Sequence, residues 1–295
     1  MRYAMLMGAL LLAGLLARPA AALDGNVDAG AQPAAQEEAM DTPGAPQVPA
    51  GSAEHPVCWL EIVTNDVAKS RAFYSDVFGW PIQAMGDFVM FLPAQGVSGN
   101  FKTDAAPGMQ SVIPHLYAKD LPALLDSVVA HGGEIVEQPR AVGEHGEATA
   151  MFKDTAGTVY GVVNAAPQLP VPHFPPIFGP GPKPPAGTIC SLELYGGDFA
   201  QTRTLFGDSF GWGLRDTMPQ YMMFDPGSGI GGVFQSHTAV TKSLAYIWVD
   251  DVRTSLAAIE AAGGKRMGEP MALPGFGTFG YFTDPAGTAM GLIGP

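Results

Sequence analysis

The chain is short of what several large function classes need. Its 295 residues hold only 15 lysines and arginines against 28 acidic residues, a formal net charge of −13. So little positive charge disfavours nucleic acid and anionic membrane surfaces as partners. No Gly-rich phosphate loop, nucleophile elbow or paired-cysteine zinc pattern occurs. No apolar run reaches the ~20 residues of a membrane span; the run from Ala4 to Ala17 is too short. Cysteine is nearly absent too, with only Cys58 and Cys190.

What is present is a repeat. Glu61, Asp66, Arg71 and Phe78-Gly79-Trp80 reappear 132 positions later as Glu193, Asp198, Arg203 and Phe210-Gly211-Trp212. Asp120 answers to Asp251, Gly132-Gly133 to Gly263-Gly264, and Phe152-Lys153-Asp154 to Phe282-Thr283-Asp284. A nearly constant offset over a whole copy is the mark of a duplicated domain. The two cysteines fall at equivalent places in the copies. An even count in an exported chain invites a disulfide. Equivalent positions in separate domains seldom come within the ~7 Å Cα limit, and two small buried core residues are the alternative.

The N-terminus reads as a targeting segment. Arg2, the apolar run and Ala20-Ala21-Ala22 match a signal peptide over residues 1–22, cut after Ala22. Loss of Arg2 and Arg18 with it would leave the mature chain at −15. A periplasmic or secreted protein is expected, with no stable membrane insertion after cleavage. Residues 23–54 carry acids but no Lys or Arg and few large apolar groups, so they are expected to form a disordered acidic tether. Domain 1 should span 55–165. The Pro-rich stretch 166–187 reads as a stiff linker, and domain 2 should span 188–295.

Within each copy the pattern starts twice. Val57 to Thr64 alternates as a strand, Asp66 can cap a helix, and Gly79 can stop it. Short strands follow over 81–85, 88–92 and 96–102. Val112 to Ala118 is a second opening strand, and Asp120 caps a helix whose Leu121, Leu124, Leu125 and Val128 share a face. Strands over 134–137, 148–152 and 159–163 complete the unit. Each copy is β-α-β-β-β twice, an α+β chain of four such units.

Phe73-Tyr74…Phe78-Gly79-Trp80 after an Asp-capped helix, with the closing Asp284-Pro285-Ala286-Gly287 turn, resembles the vicinal oxygen chelate (VOC) superfamily, the glyoxalase/bleomycin-resistance/dioxygenase fold. The resemblance implies two tandem domains, each an open barrel-like cup with a ligand site inside. In metal-dependent members His, Gln or Glu side chains converge on one divalent ion. The matching positions here are Trp59, Ile113 and Gly161, then Ser191, Leu244 and Gly291. Trp, Ile, Leu and Gly offer a metal no lone pair. The expectation is therefore no metal and no cofactor.

Strand alternation turns Trp59, Glu61 and Val63 inward with Ile113, His115 and Tyr117. In the second copy the set is Ser191, Glu193 and Tyr195 with Leu244, Tyr246 and Trp248. Each cup thus joins aromatic walls to one carboxylate, as small-molecule sites do. The candidate ligand-binding residues are Trp59, Glu61, His115, Tyr117, Ser191, Glu193, Tyr246 and Trp248. Glu61 and His115 should lie close together, either as a proton-moving dyad or as a satisfied buried pair. Three functions stay open: a metal-free binder of a small, cationic or aromatic molecule; a lyase or isomerase using Glu61 and His115 or a metal held elsewhere; and an interaction module with filled cups. The loop from Gly143 to Glu147, with His145, is a candidate lid.

Overall fold

The computed structural model describes residues 48–85, 88–93, 95–103, 110–142, 146–165, 173–174, 183–237 and 241–295. The expected signal peptide, most of the tether, much of the linker and Gly143 to His145 of the candidate lid lie outside the described residues.

Four units follow one another. The first holds β1 (Val57–Val63), α1 (Val67–Phe78), β2 (Ile82–Met85), β3 (Phe88–Phe91) and β4 (Gly99–Lys102). The second holds β5 (Val112–Tyr117), α2 (Leu121–Ala130), β6 (Glu134–Ala141), β7 (Ala148–Lys153) and β8 (Val159–Val163). The third holds β9 (Ile189–Tyr195), α3 (Phe199–Arg203), β10 (Gly213–Met218), β11 (Tyr221–Asp225) and β12 (Gly232–Gln235). A wider π-type turn over Thr204–Ser209 extends α3. The fourth holds β13 (Ser243–Trp248), α4 (Val252–Ala261), β14 (Lys265–Arg266), β15 (Met271–Leu273), β16 (Gly277–Thr283) and β17 (Ala289–Gly294).

The helices begin where their caps dictate. Asp66, Asp120, Asp198 and Asp251 each accept a backbone N–H from the first turn. α1 stops at Gly79, whose φ of 68° is the left-handed conformation a side chain would resist.

Each pair of units makes one open sheet, ordered β2-β3-β4-β1-β5-β8-β7-β6 in domain 1. Antiparallel β1 and β5 join its halves, and β9 and β13 do so in domain 2. Leu60, Ile62, Leu192 and Leu194 point toward the helices into one core shared by both domains. Across that core Phe73 of α1 meets Phe282 of β16, and Phe152 of β7 meets Phe210. The cup faces carry separate, smaller clusters around Trp59, around Ile113 and around Tyr246. The domains therefore sit helix side to helix side, with the cups on the outer faces.

The contact between them is reciprocal. Trp80 Nε1 donates to the carbonyl of Gly187 at 2.7 Å, and Trp212 Nε1 donates to that of His55 at 3.1 Å. Both donors and both acceptors are repeat equivalents, so each indole holds the residue leading into the other domain's first strand. Thr288 Oγ1 donates to Val63 O at 2.6 Å, and Thr158 Oγ1 donates to Tyr195 O at 3.0 Å. Ser70 Oγ donates to Asp284 Oδ2 at 2.8 Å across the same boundary.

Composition placed residues 48–54 in the tether, but this stretch lies on domain 2. Ser52 N–H bonds Gly211 O at 2.8 Å and Ala53 N–H bonds Pro226 O at 2.9 Å. Backbone groups, which composition does not weigh, make that attachment. Linker residue Phe174 likewise bridges Ile230. Both cysteines are free and buried, their thiols donating to the carbonyls of His115 and Tyr246 at 3.5 Å. The disulfide alternative is therefore excluded.

One shared core and two indole ties predict a single cooperative unfolding transition for both domains. Trp80→Phe and Trp212→Phe should each lower the unfolding free energy by about 1–3 kcal/mol, the cost of a buried carbonyl left unpaired. Urea unfolding followed by circular dichroism checks both, and two resolved transitions would refute the shared core.

Candidate functional site

The first cup is built on β1, β4 and β5. Glu61 and His115 are each only 2 % exposed. In register, Trp59 stands opposite His115 and Glu61 opposite Ile113, so the imidazole lies diagonally from the carboxylate. His115 Nε2 comes to 3.4 Å from Glu61 Oε2, and Lys102 Nζ to 3.1 Å from the same oxygen. Burial alone would raise the Glu61 pKa. The nearby His115 and Lys102 outweigh it and bring it to about 2. Neither His115 ring nitrogen makes an aligned hydrogen bond among the described residues. Trp59 Nε1 donates to Asn100 Oδ1 at 2.7 Å, which settles both side chains. Tyr117 packs beside Trp59 at the end of β5.

The second cup repeats the plan with different chemistry. Tyr246 stands opposite Ser191 and Leu244 opposite Glu193. Tyr246 Oη donates to Glu193 Oε2 at 2.6 Å, and Tyr281 Oη lies 2.8 Å from Tyr246 Oη. Burial raises the Glu193 pKa, offset in part by the Tyr246 hydroxyl and by His237. Trp248 lies at the end of β13 among Tyr246, Phe279 and Ile293. Lys183 Nζ sits 5.9 Å from the centre of its ring.

The eight sequence candidates thus fall into two groups: Trp59, Glu61, His115 and Tyr117 in one cup, and Ser191, Glu193, Tyr246 and Trp248 in the other. Sequence reasoning missed Lys102, Tyr281 and Gln235. Lys102 and Gln235 hold the same register position, beside Val63 and Tyr195 in parallel pairs. Alternation puts Lys102 on the same face as Asn100, but only the pairing of that strand with β1 makes that face the cup's. The other described histidines tie structure together: His55 donates to Tyr117 O at 2.9 Å, and His173 lies 2.9 Å from Asp225. His131 lies 2.9 Å from Ser209 Oγ, and His237 lies 2.7 Å from Tyr221 Oη.

The metal that the fold implies does not fit these floors. Gly161, at a family ligand position, lies beneath the His115 ring; a Cβ there would overlap Nδ1. Gly291 lies beneath Tyr246 in the same way, and a Cβ would overlap the Tyr246 ring. Each ring occupies the space that the closing-strand side chain would fill. Among the described residues no group of three or more His, Cys, Asp or Glu is placed to hold an ion.

Comparison with known proteins agrees with this architecture. The family described as "Bleomycin resistance protein-like N-terminal" matches residues 57–92. The chain is 22 % identical over 270 residues to "Putative glyoxylase CFP32" of Mycobacterium bovis, covering 80 % of this chain and 94 % of that protein. It is 30 % identical over 121 residues to a glyoxylase-like domain-containing protein of Didymella fabae, covering 35 % of this chain and 88 % of that one. A Mn(II)-bound glyoxalase from Novosphingobium aromaticivorans superposes with a TM-score of 0.56 at 15 % identity, covering 83 % of each chain.

Two outcomes follow from this geometry. Gly161→Ala should cost about 1–3 kcal/mol of stability by overpacking against His115, read by urea unfolding. Because the folded-state pKa of Glu61 lies below its unfolded value, its stabilising contribution is full above ~4.3. That contribution is lost as pH falls toward about 2. The stability gap between the wild type and Glu61→Gln should therefore close over that acid range, and a gap independent of pH would show that Glu61 is not held ionised.

Proposed function

We propose, from the premise that the chain belongs to the vicinal oxygen chelate superfamily, that it binds a small organic molecule in its cups without the metal of that superfamily. The observation that carries this reading is the pair of rings lying on glycines, His115 on Gly161 and Tyr246 on Gly291. These rings fill the places of the donor side chains, the partly exposed Tyr117 and Tyr281 offer faces on which a ligand can stack, and Glu61 and Glu193 supply the polar anchors. The protein is exported in this reading, on the strength of Arg2, the apolar run and Ala20-Ala21-Ala22.

One feature favours a second reading. His115 keeps two unpaired ring nitrogens beside Glu61 in a buried setting. Proton transfer on a bound substrate, as in a lyase or isomerase, would use such a pair. Loss of ligand turnover in His115→Ala with binding retained would select it.

The mature protein recovered from the periplasm or medium should begin at Leu23 and contain well under one metal ion per chain. Exhaustive dialysis against chelator should leave its melting temperature unchanged. A bound ligand at a hundredfold excess over its Kd should add about 2.7 kcal/mol of stability. A stoichiometric divalent ion, with destabilisation on its removal, would overturn the reading.

A further inference from the structure

The two cups no longer present the same charge. In the first, Glu61 is already matched by the Lys102 ammonium at 3.1 Å. In the second, the equivalent of Lys102 is Gln235. Among the described residues, the interactions of Glu193 come from the Tyr246 hydroxyl and from His237, Tyr221 and Tyr281, with no lysine or arginine among them. The cups also differ in access: Glu61 is buried, whereas Glu193, Tyr221 and Tyr281 are each partly exposed.

Three features of the second cup point to one ligand chemistry. Among the described residues no lysine or arginine pairs with Glu193, and His237 is the one basic side chain that bears on it. Gln235, 1 % exposed, has an Oε1 with no hydrogen-bond partner, on the strand beside Tyr195 and on the Glu193 side of the sheet. A buried acceptor left unpaired costs free energy until a donor arrives. The walls are aromatic, from Tyr246, Tyr281, Phe279 and Trp248. One of those rings already has an ammonium near it, since Lys183 approaches Trp248. A cation beside such rings is attracted by their quadrupoles. Two acceptors and a ring-lined wall call for a ligand with positive charge, N–H donors and an apolar body.

We propose that the second cup is the receptor for a protonated organic amine, its ammonium donating toward Glu193 and Gln235 and its apolar part lying on Tyr246 and Tyr281. This rests on the metal-free binding reading and assigns it to one cup and one chemical class. The first cup, with its carboxylate already neutralised, does not take the amine.

Titration calorimetry of the full mature protein with benzylammonium and with benzyl alcohol tests the assignment without any variant, since the two probes share a shape and differ in charge. Benzylammonium should bind once per chain, at least tenfold tighter than the alcohol. Benzyltrimethylammonium, which keeps the charge and lacks N–H donors, should fall between them. Glu193→Gln, checked for an unchanged unfolding transition, should remove the preference for the amine. Equal affinity for amine and alcohol overturns the proposal and leaves metal-free binding standing. Two amine sites per chain, a Glu193→Gln variant that keeps the preference, or no amine binding each overturns it too. Metal analysis decides the underlying reading separately.

Discussion

Two indole N–H bonds set the arrangement from which the rest follows. Trp80 grips the entry to the second domain and Trp212 the entry to the first. The first strand of each sheet starts at a point fixed by the other domain. That places β1 and β9, the strands carrying Glu61 and Glu193, in a common frame. The helices are trapped between the sheets and fill one core, and the concave faces are left to the outside. Neither domain is finished without its partner, although each has its own cup.

Given that frame, the cups were free to diverge. What both keep is a ring lying over a glycine on the closing strand, with a carboxylate next to it. What differs is the compensation. The first cup sets His115 and Lys102 beside Glu61 and holds it ionised; the second buries Glu193, which discourages its charge, and the Tyr246 hydroxyl only partly offsets that burial. Two carboxylates at one repeat position thus have opposite electrostatic settings, and two differences between the cups accompany this: His115 becomes Tyr246, and Lys102 becomes Gln235.

Much of the fold was legible in the sequence because it rests on local signals. Asp66 and Asp198 cap helices through their own first turns, Gly79 ends one, and alternation sorted Trp59, Glu61 and Val63 from Leu60 and Ile62. The cup rosters followed from the same period of two. Interactions between distant parts of the chain were not legible. Nothing local in Trp80 announces that its N–H reaches a carbonyl in the linker, and nothing in residues 48–54 announces backbone bonds to Gly211 and Pro226. Lys102 was missed because its strand could not be registered against β1 by pattern alone. Gly161 and Gly291 could be read as missing donors, but their use as seats for aromatic rings needs three-dimensional proximity.

The paired cysteines carry one last implication. Each thiol is buried on its own strand within the cup-side cluster and directed at the carbonyl of a ring-bearing residue, His115 or Tyr246, and burial raises both pKa values, that of Cys58 to about 12. Thiolate is the reactive form, so oxidants and disulfide exchangers find almost none of it here. The molecule holds its shape without a covalent cross-link, and its two sulfur atoms should stay reduced whether the surroundings are oxidising or reducing.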